Sequence, residues 1–247
     1  MPNRYNGAIM ATRTKRSGSQ LSPDQIIEAV LRIAERGGSD AFTVRRLGEE
    51  LGADPTAIYR HFRDKDELLL SVADRAFGEA IDGIPAGLGW KDRLRALAAG
   101  SLRVALKYPV VVSMTASRTT RREREFLIVE FILECVHEAG LQGAEAALLY
   151  RSFGDALLAF IGQTAAFRLF DPDVQAGDLA AWAREYRTLD PARFPHITRL
   201  SDELAAVDEQ EIFDVRVEAM VSEIERRAAL TSRRRAAPAP AEPSEPA

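Results

Sequence analysis

The fold is decided by residues 43–62, Thr43-Val44-Arg45-Arg46-Leu47-Gly48-Glu49-Glu50-Leu51-Gly52-Ala53-Asp54-Pro55-Thr56-Ala57-Ile58-Tyr59-Arg60-His61-Phe62. Thr43 is placed to cap a helix in which Val44, Leu47 and Leu51 share an inward face. Gly52-Ala53-Asp54 makes a tight turn, and Asp54-Pro55 opens a second, very short helix whose Ile58 and Phe62 point back at Leu47 and Leu51. Two short helices joined in this way form a helix-turn-helix. The second lies far below the ~12–15 residues at which an isolated helix is even marginal in water. It must rest on its neighbours, which leaves Thr56, Ala57, Tyr59, Arg60 and His61 facing outward.

That outward face combines small groups with hydrogen-bond donors. A major groove admits one helix, and its base edges are read by arginine bonds to guanine and methyl contacts to thymine. Arg45 and Arg46 open the first helix of the pair, within reach of a groove edge and its backbone. Lys65 stands at the start of the next helix, where free N–H groups and the positive dipole end favour phosphate. The plain alternative for Tyr59, Arg60 and His61 is an exposed polar face with no partner.

Working outward, Ser22-Pro23-Asp24-Gln25 is a capping box with proline at the first helical position. Ile26, Val30, Ile33 and Ala34 follow on one face, and Gly37-Gly38 is a stop. Asp64-Lys65-Asp66-Glu67 is a second capping box ahead of Leu69, Val72, Ala73, Ala76 and Phe77. Pro85, Gly87 and Gly89 break the pattern and place a domain boundary near 82–89. Longer helical stripes come next: Leu94, Leu97, Ser101 and Ala105 as far as Tyr108-Pro109, then Ile128, Phe131, Ile132, Cys135 and Val136. The longest covers 143–170 with Leu149, Phe153, Ala156, Phe160, Thr164 and Phe167. Residues 171–195 read as a long connection around a helix at 178–187, and Phe213, Val217, Met220, Val221 and Ile224 mark a last amphipathic helix. Val110-Val111-Val112 is the only β-like run and has nothing to pair with. The expected fold class is all-α, with an N-terminal three-helix unit at 21–81 and a larger helical domain at 90–229. Residues 1–20, with Arg4, Arg13, Lys15 and Arg16 and no carboxylate, read as a mobile basic arm. Residues 230–247 read as a disordered proline- and alanine-rich tail.

Composition narrows the function classes. The chain has 247 residues, 46% hydrophobic and 28% charged, and a net charge of -4, so any nucleic-acid contact must come from a local patch. The lone Cys135 excludes an internal disulfide and a multi-cysteine zinc site, and it is expected to be packed in the core. No apolar run reaches the ~18 residues of a membrane span and the N-terminus has basic residues but no apolar stretch of a secretion signal, so a soluble cytoplasmic protein is expected. No nucleophile elbow, zinc-protease pair or phosphate loop is present, and Gly87-Leu88-Gly89 lacks a third glycine. His137 shares a face with Glu130 and Glu134 but has no second histidine, so a solvated face or a polar pocket wall is expected there, with no metal and no cofactor. Arg118, Arg121, Arg122 and Arg124 read as surface charges at a helix start. An all-helical enzyme, or a ligand-binding protein without DNA activity, remains the alternative class.

Residues 22–81 resemble the DNA-binding domain of the TetR family of transcriptional regulators. The resemblance is carried by Phe42-Thr43-Val44-Arg45, Leu47, Leu51-Gly52, Ile58-Tyr59-Arg60-His61-Phe62 and Lys65-Asp66-Glu67-Leu68-Leu69. It implies a homodimer whose two heads dock in successive major grooves of a palindromic operator. Base contacts would come from Arg45, Pro55, Thr56, Ala57, Tyr59 and Arg60, with Tyr59 and Lys65 on phosphate. Thr43, Arg46 and His61 complete the expected DNA-binding set. The remainder resembles the family's C-terminal domains more loosely, including Phe194-Pro195-His196-Ile197 ahead of the last helix. That implies a ligand pocket and dimerisation through helices at 143–170 and 209–227. Leu102, Met114, Phe131, His137, Phe153, Phe160 and Phe167 are the expected pocket residues, although the seven-residue recurrence of the last three is first a packing stripe. A repressor released by a small apolar or amphipathic ligand is the functional expectation.

Overall fold

Caps set the first elements. Ser22 Oγ accepts the Gln25 N–H at 3.2 Å while Gln25 Oε1 accepts the Ser22 N–H at 2.9 Å, so α1 (Pro23–Glu35) opens with two of its orphan donors satisfied. It buries Ile26, Val30, Ile33 and Ala34. Thr43 caps α2 (Val44–Leu51), and Gly52, at φ 59°, closes it in the left-handed region that a side chain would resist. A 3-10 helix at Pro55–Arg60 follows, and Asp64 caps α3 (Lys65–Asp82) by accepting the Glu67 N–H at 2.8 Å. This computed structural model describes residues 21–36, 43–52 and 54–236 and, within them, not the side chains of Val44, Pro55, Thr56, Arg235 and Ala236. The expected basic arm, the Gly37-Gly38 stop, Phe42 and the end of the chain past 236 lie outside the described residues.

α3 is a shared beam. It packs on α1 and also on α4 (Trp90–Lys107), α5 (Pro109–Thr115) and α6 (Glu123–Glu138). The break near 82–89 is a turn in the chain, and one apolar cluster runs through it from Ile26 and Val72 to Ile84, Leu94 and Phe153. α4 meets α3 backbone to backbone at Gly100, where an added Cβ would stand 2.7 Å from the Ala80 carbonyl oxygen. At Tyr108-Pro109 the chain bends by 113° into α5, because proline cannot extend the preceding helix and the residue before it avoids the helical region. The valine run 110–112 is therefore helical, with Val111 and Val112 N–H groups donating to the Tyr108 carbonyl at 3.0 and 3.1 Å. With no strand among the described residues, it is buried as one wall of α5.

α7 (Gly143–Phe167) and α11 (Glu209–Ala236) complete the core with Leu149, Phe153, Leu157 and Ile161 from one and Phe213, Val217, Val221 and Ile224 from the other. Between them α8 (Pro172–Glu185), α9 (Pro195–Arg199) and α10 (Ser201–Ala206) make an excursion whose neighbours are mainly each other. α8 starts six residues before the expected 178, since Asp171 accepts the Asp173 N–H at 2.9 Å and Pro172 takes the first helical position. α11 continues to Ala236, past the composition break at 230.

Candidate functional site

The outward face of the helix-turn-helix is held from behind. Leu47, Ile58 and Phe62 are buried, and the 3-10 turns are closed by Ala57 N–H to Asp54 O at 2.9 Å and His61 N–H to Ile58 O at 3.0 Å. On the far side Glu50 fixes α2 to α1 by accepting from Arg32 Nε at 3.1 Å and from Arg36 at 2.8 and 3.1 Å. The same hydrogen bonds, Arg36 first and Arg32 next, hold the Glu50 carboxyl below the ordinary carboxylate range. Arg75 of α3 pairs with Asp24 and Glu28 of α1, so the three-helix unit is braced to the beam.

On the open side the side chain of Arg45 is 88% exposed, with only a loose 4.0 Å approach to Glu49. Tyr59 is 44% exposed, and Thr43, Arg60 and Lys65 are exposed as well. Arg46, Ala57 and His61 are half-buried at the margin of this face. Pro55 and Thr56 share the 3-10 backbone, and their side chains lie outside the description. Thr43 Oγ1 is occupied as a cap by the Arg46 N–H at 3.4 Å. With its margin the face thus carries the three guanidiniums of Arg45, Arg46 and Arg60, a phenol, an imidazole and an ammonium within twenty-three residues of sequence, on a support of buried apolar groups.

Two cavities of the larger domain differ greatly in size. One of about 660 Å³ lies between α7, α8, α10 and α11, walled by Phe160, Phe167, Phe170, Leu179, Trp182, Val207 and Ile212. Arg216, whose guanidinium lies 4.8 Å from the Phe160 ring centre, reaches it, as do Asp178 and Glu209. The other, about 120 Å³, lies where α3, α4, α6 and α7 meet, walled by Phe77, Leu97, Ile128, Ile132 and Leu157 with Asp74, Thr120 and Glu125 at its polar end.

Of the seven expected pocket residues, Phe160 and Phe167 line the larger cavity. The other five line neither of the two. Phe153 fills the core and Leu102 packs against it. Phe131 lies buried under the Arg93 guanidinium, 4.6 Å from its ring centre. Met114 and His137 are exposed. No group of three or more histidine, cysteine or carboxylate side chains positioned to hold a metal ion exists among the described residues. Cys135 is buried, and burial pushes its thiol up to about 12.

Residues 118–125 depart from the expectation of plain surface charge. The Arg118 guanidinium donates to both oxygens of Asp66 at 2.5 and 2.9 Å, and Arg124 reaches Asp82 at 2.6 Å. Arg122 donates to the Glu67 carbonyl at 3.3 Å. Arg121 alone of the non-glycine residues described takes a positive φ, 58°, and its N–H donates to Glu125 Oε2 at 2.7 Å. The bonds of Arg118, Arg122 and Arg124 anchor the segment to α3, and that of Arg121 closes it on the first turn of α6. The sequence signal was Asp74, a carboxylate set among the apolar residues Val72, Ala73, Ala76 and Phe77.

A strip of apolar residues stays open on the two longest helices: Leu148 on α7, 58% exposed, and Ile212, Val215 and Leu230 on α11, Val215 at 63%. No single helix among the described residues is long and apolar enough to cross a membrane.

Comparison with known proteins bears on this geometry. Residues 26–72 match the model of "Bacterial regulatory proteins, tetR family", and residues 85–228 match "Tetracyclin repressor-like, C-terminal domain". The chain is 25% identical over 183 residues to an HTH-type transcriptional regulator of Saccharopolyspora erythraea, covering 73% of this chain and 76% of that one. It is 26% identical over 212 residues to an HTH-type transcriptional repressor of Mycobacterium tuberculosis, covering 80% and 78%. In fold it is similar to the Streptomyces coelicolor TetR family protein ActR, solved in complex with actinorhodin, with a TM-score of 0.72, 20% identity and coverage of 85% of this chain and 99% of that one.

Proposed function

The chain belongs to the tetR family of bacterial regulatory proteins and is a DNA-binding transcriptional regulator; we propose that it is a homodimeric repressor released from a palindromic operator by a small, largely apolar ligand. The observation that carries the reading is the outward face of residues 43–65, charged and aromatic in front and locked by Leu47, Ile58 and Phe62 behind. Arg45, Arg46, Tyr59, Arg60 and His61 meet the groove and its edges, with Ala57, Pro55 and Thr56 closest to the bases. Thr43 holds the start of α2 and Lys65 takes phosphate.

The open apolar strip on α7 and α11 supports a dimer face there, and docking in successive major grooves requires two heads one helical turn, about 34–36 Å, or a multiple apart. The larger cavity suits the ligand. Ligand pockets run to ~300–1,000 Å³, which admits the 660 Å³ space and not the 120 Å³ one. Moving a two-state equilibrium from 1:99 to 99:1 takes about 5.5 kcal/mol of differential binding, equivalent to about 220 Å² of apolar surface at about 25 cal/mol per Å². The walls of Phe160, Phe167, Phe170 and Trp182 supply that to an aromatic or aliphatic body.

Selection of bound duplexes from a random DNA library tests the reading. The expected result is an enriched palindrome with half-sites separated by a whole number of helical turns. Recovery of no enriched sequence contradicts it, and enrichment of a single non-repeated site contradicts the dimer.

A further inference from the structure

Helix α6 begins without a cap of its own: Arg122, at its N-cap position, makes no side-chain bond to the first turn. The bond comes from another helix. Asp74, 8% exposed in the middle of α3, accepts the Glu125 N–H on Oδ1 at 3.0 Å and the Arg124 N–H on Oδ2 at 3.2 Å. Thr120 Oγ1 stands 2.8 Å from Asp74 Oδ1 and 2.9 Å from Glu125 Oε2, and its one proton serves one of them at a time. A carboxylate at a helix N-terminus satisfies orphan amides and meets the positive end of the dipole. Here that stabilisation exists only while α3 and α6 keep one relative position.

The same segment grips the rest of α3. Arg118 holds Asp66, Arg122 holds the Glu67 carbonyl, Arg124 lies over Gly78 and reaches Asp82. With Asp74, these positions fall on one face of the beam. The beam's N-terminal end carries the reading head, and near its other end Ala80 touches Gly100 backbone to backbone. Any swing of the head about that close contact pulls Asp74 away from the amides of Arg124 and Glu125.

We propose that Asp74 is a positioning residue for operator binding: its cap on α6, made across the two helices, fixes the angle at which the head meets DNA. The inference rests on the DNA-binding reading above. Binding free energies are reciprocal, so if the cap favours the DNA-competent angle, DNA must favour the cap. A merely structural aspartate shows no such return effect.

The test is amide hydrogen exchange on the full chain, with and without the selected operator duplex. The expected result is that operator slows exchange at Arg124 and Glu125 about tenfold or more, while a scrambled duplex of equal length does not. Asp74→Asn keeps one acceptor oxygen and loses the charge; it is expected to weaken operator binding about tenfold and to remove most of the operator-induced protection. The wild-type experiment decides even where a variant fails to fold. Operator binding with unchanged exchange at those two amides overturns the proposal and leaves the DNA reading intact. Recovery of no operator from the library overturns both.

Discussion

Arginine is used in opposite ways at the two ends of the molecule. In the larger domain Arg93 donates to Glu134 and Glu138, both at 2.7 Å, and covers Phe131, while Arg95 is shared between Asp92 and Glu218. Lys91 is likewise paired with Glu225. In the head the back is tightly paired, where Arg32 and Arg36 meet Glu50 at 2.8 to 3.1 Å. On the front Arg45 meets Glu49 only at 4.0 Å with its side chain 88% exposed, and among the described residues no ion pair holds Arg60. Exposed pairs are worth only ~0–1 kcal/mol of stability, so the front gives up little by holding Arg45 and Arg60 loosely, and it keeps these two available to phosphate and bases. The contrast separates residues that serve the fold from residues that serve a partner.

Substitution on each side sharpens that separation. Phe153→Ala, in the core, is expected to cost ~3–5 kcal/mol in denaturant unfolding. Arg60→Ala is expected to leave stability within ~0.5 kcal/mol and to cost ~1–3 kcal/mol of operator affinity, with relaxed preference at one base pair. A stability loss as large as that of Phe153→Ala would break the contrast. Thr43→Ala, which removes the cap of α2, is expected to cost ~1 kcal/mol of stability, read from the shift in denaturation midpoint.

The smallest effect concerns the back of the head and acid. Glu50 is held below the ordinary carboxylate range by Arg36 and Arg32, so its contribution is complete above that range. It is lost as pH falls through the lowered value. Thermal melts of wild type and Glu50→Gln are expected to differ at neutral pH and to converge in acid; curves that stay parallel down to strong acid would contradict the assignment.

Much of this was legible in the residues, for definite reasons. Caps are local, so Ser22 with Gln25, Thr43 and Asp64 announced three helix starts, and Ile58 and Phe62 announced the packing behind the short helix. All-α architecture followed from periodicity. The larger cavity was legible in Phe160 and Phe167 but not in Trp182 or Phe170, which reach it through an excursion with little apolar stripe of its own. Least visible was the bond between Asp74 and residues 120–125. It joins positions about fifty apart, and a carboxylate among apolar residues, as Asp74 is, does not name its partner. Exposed charge at a helix start looks the same in sequence whether or not a distant beam lies against it, which is why Arg118, Arg122 and Arg124 read as solvated.

The central claim is that the front of residues 43–65 enters a duplex, and the most direct measurement is operator affinity of the double variant Tyr59→Ala/Arg60→Ala at one fixed salt concentration. The account predicts a loss of about a hundredfold or more relative to wild type, with the helical circular dichroism spectrum and melting temperature retained. Undiminished affinity in a folded double variant would contradict it.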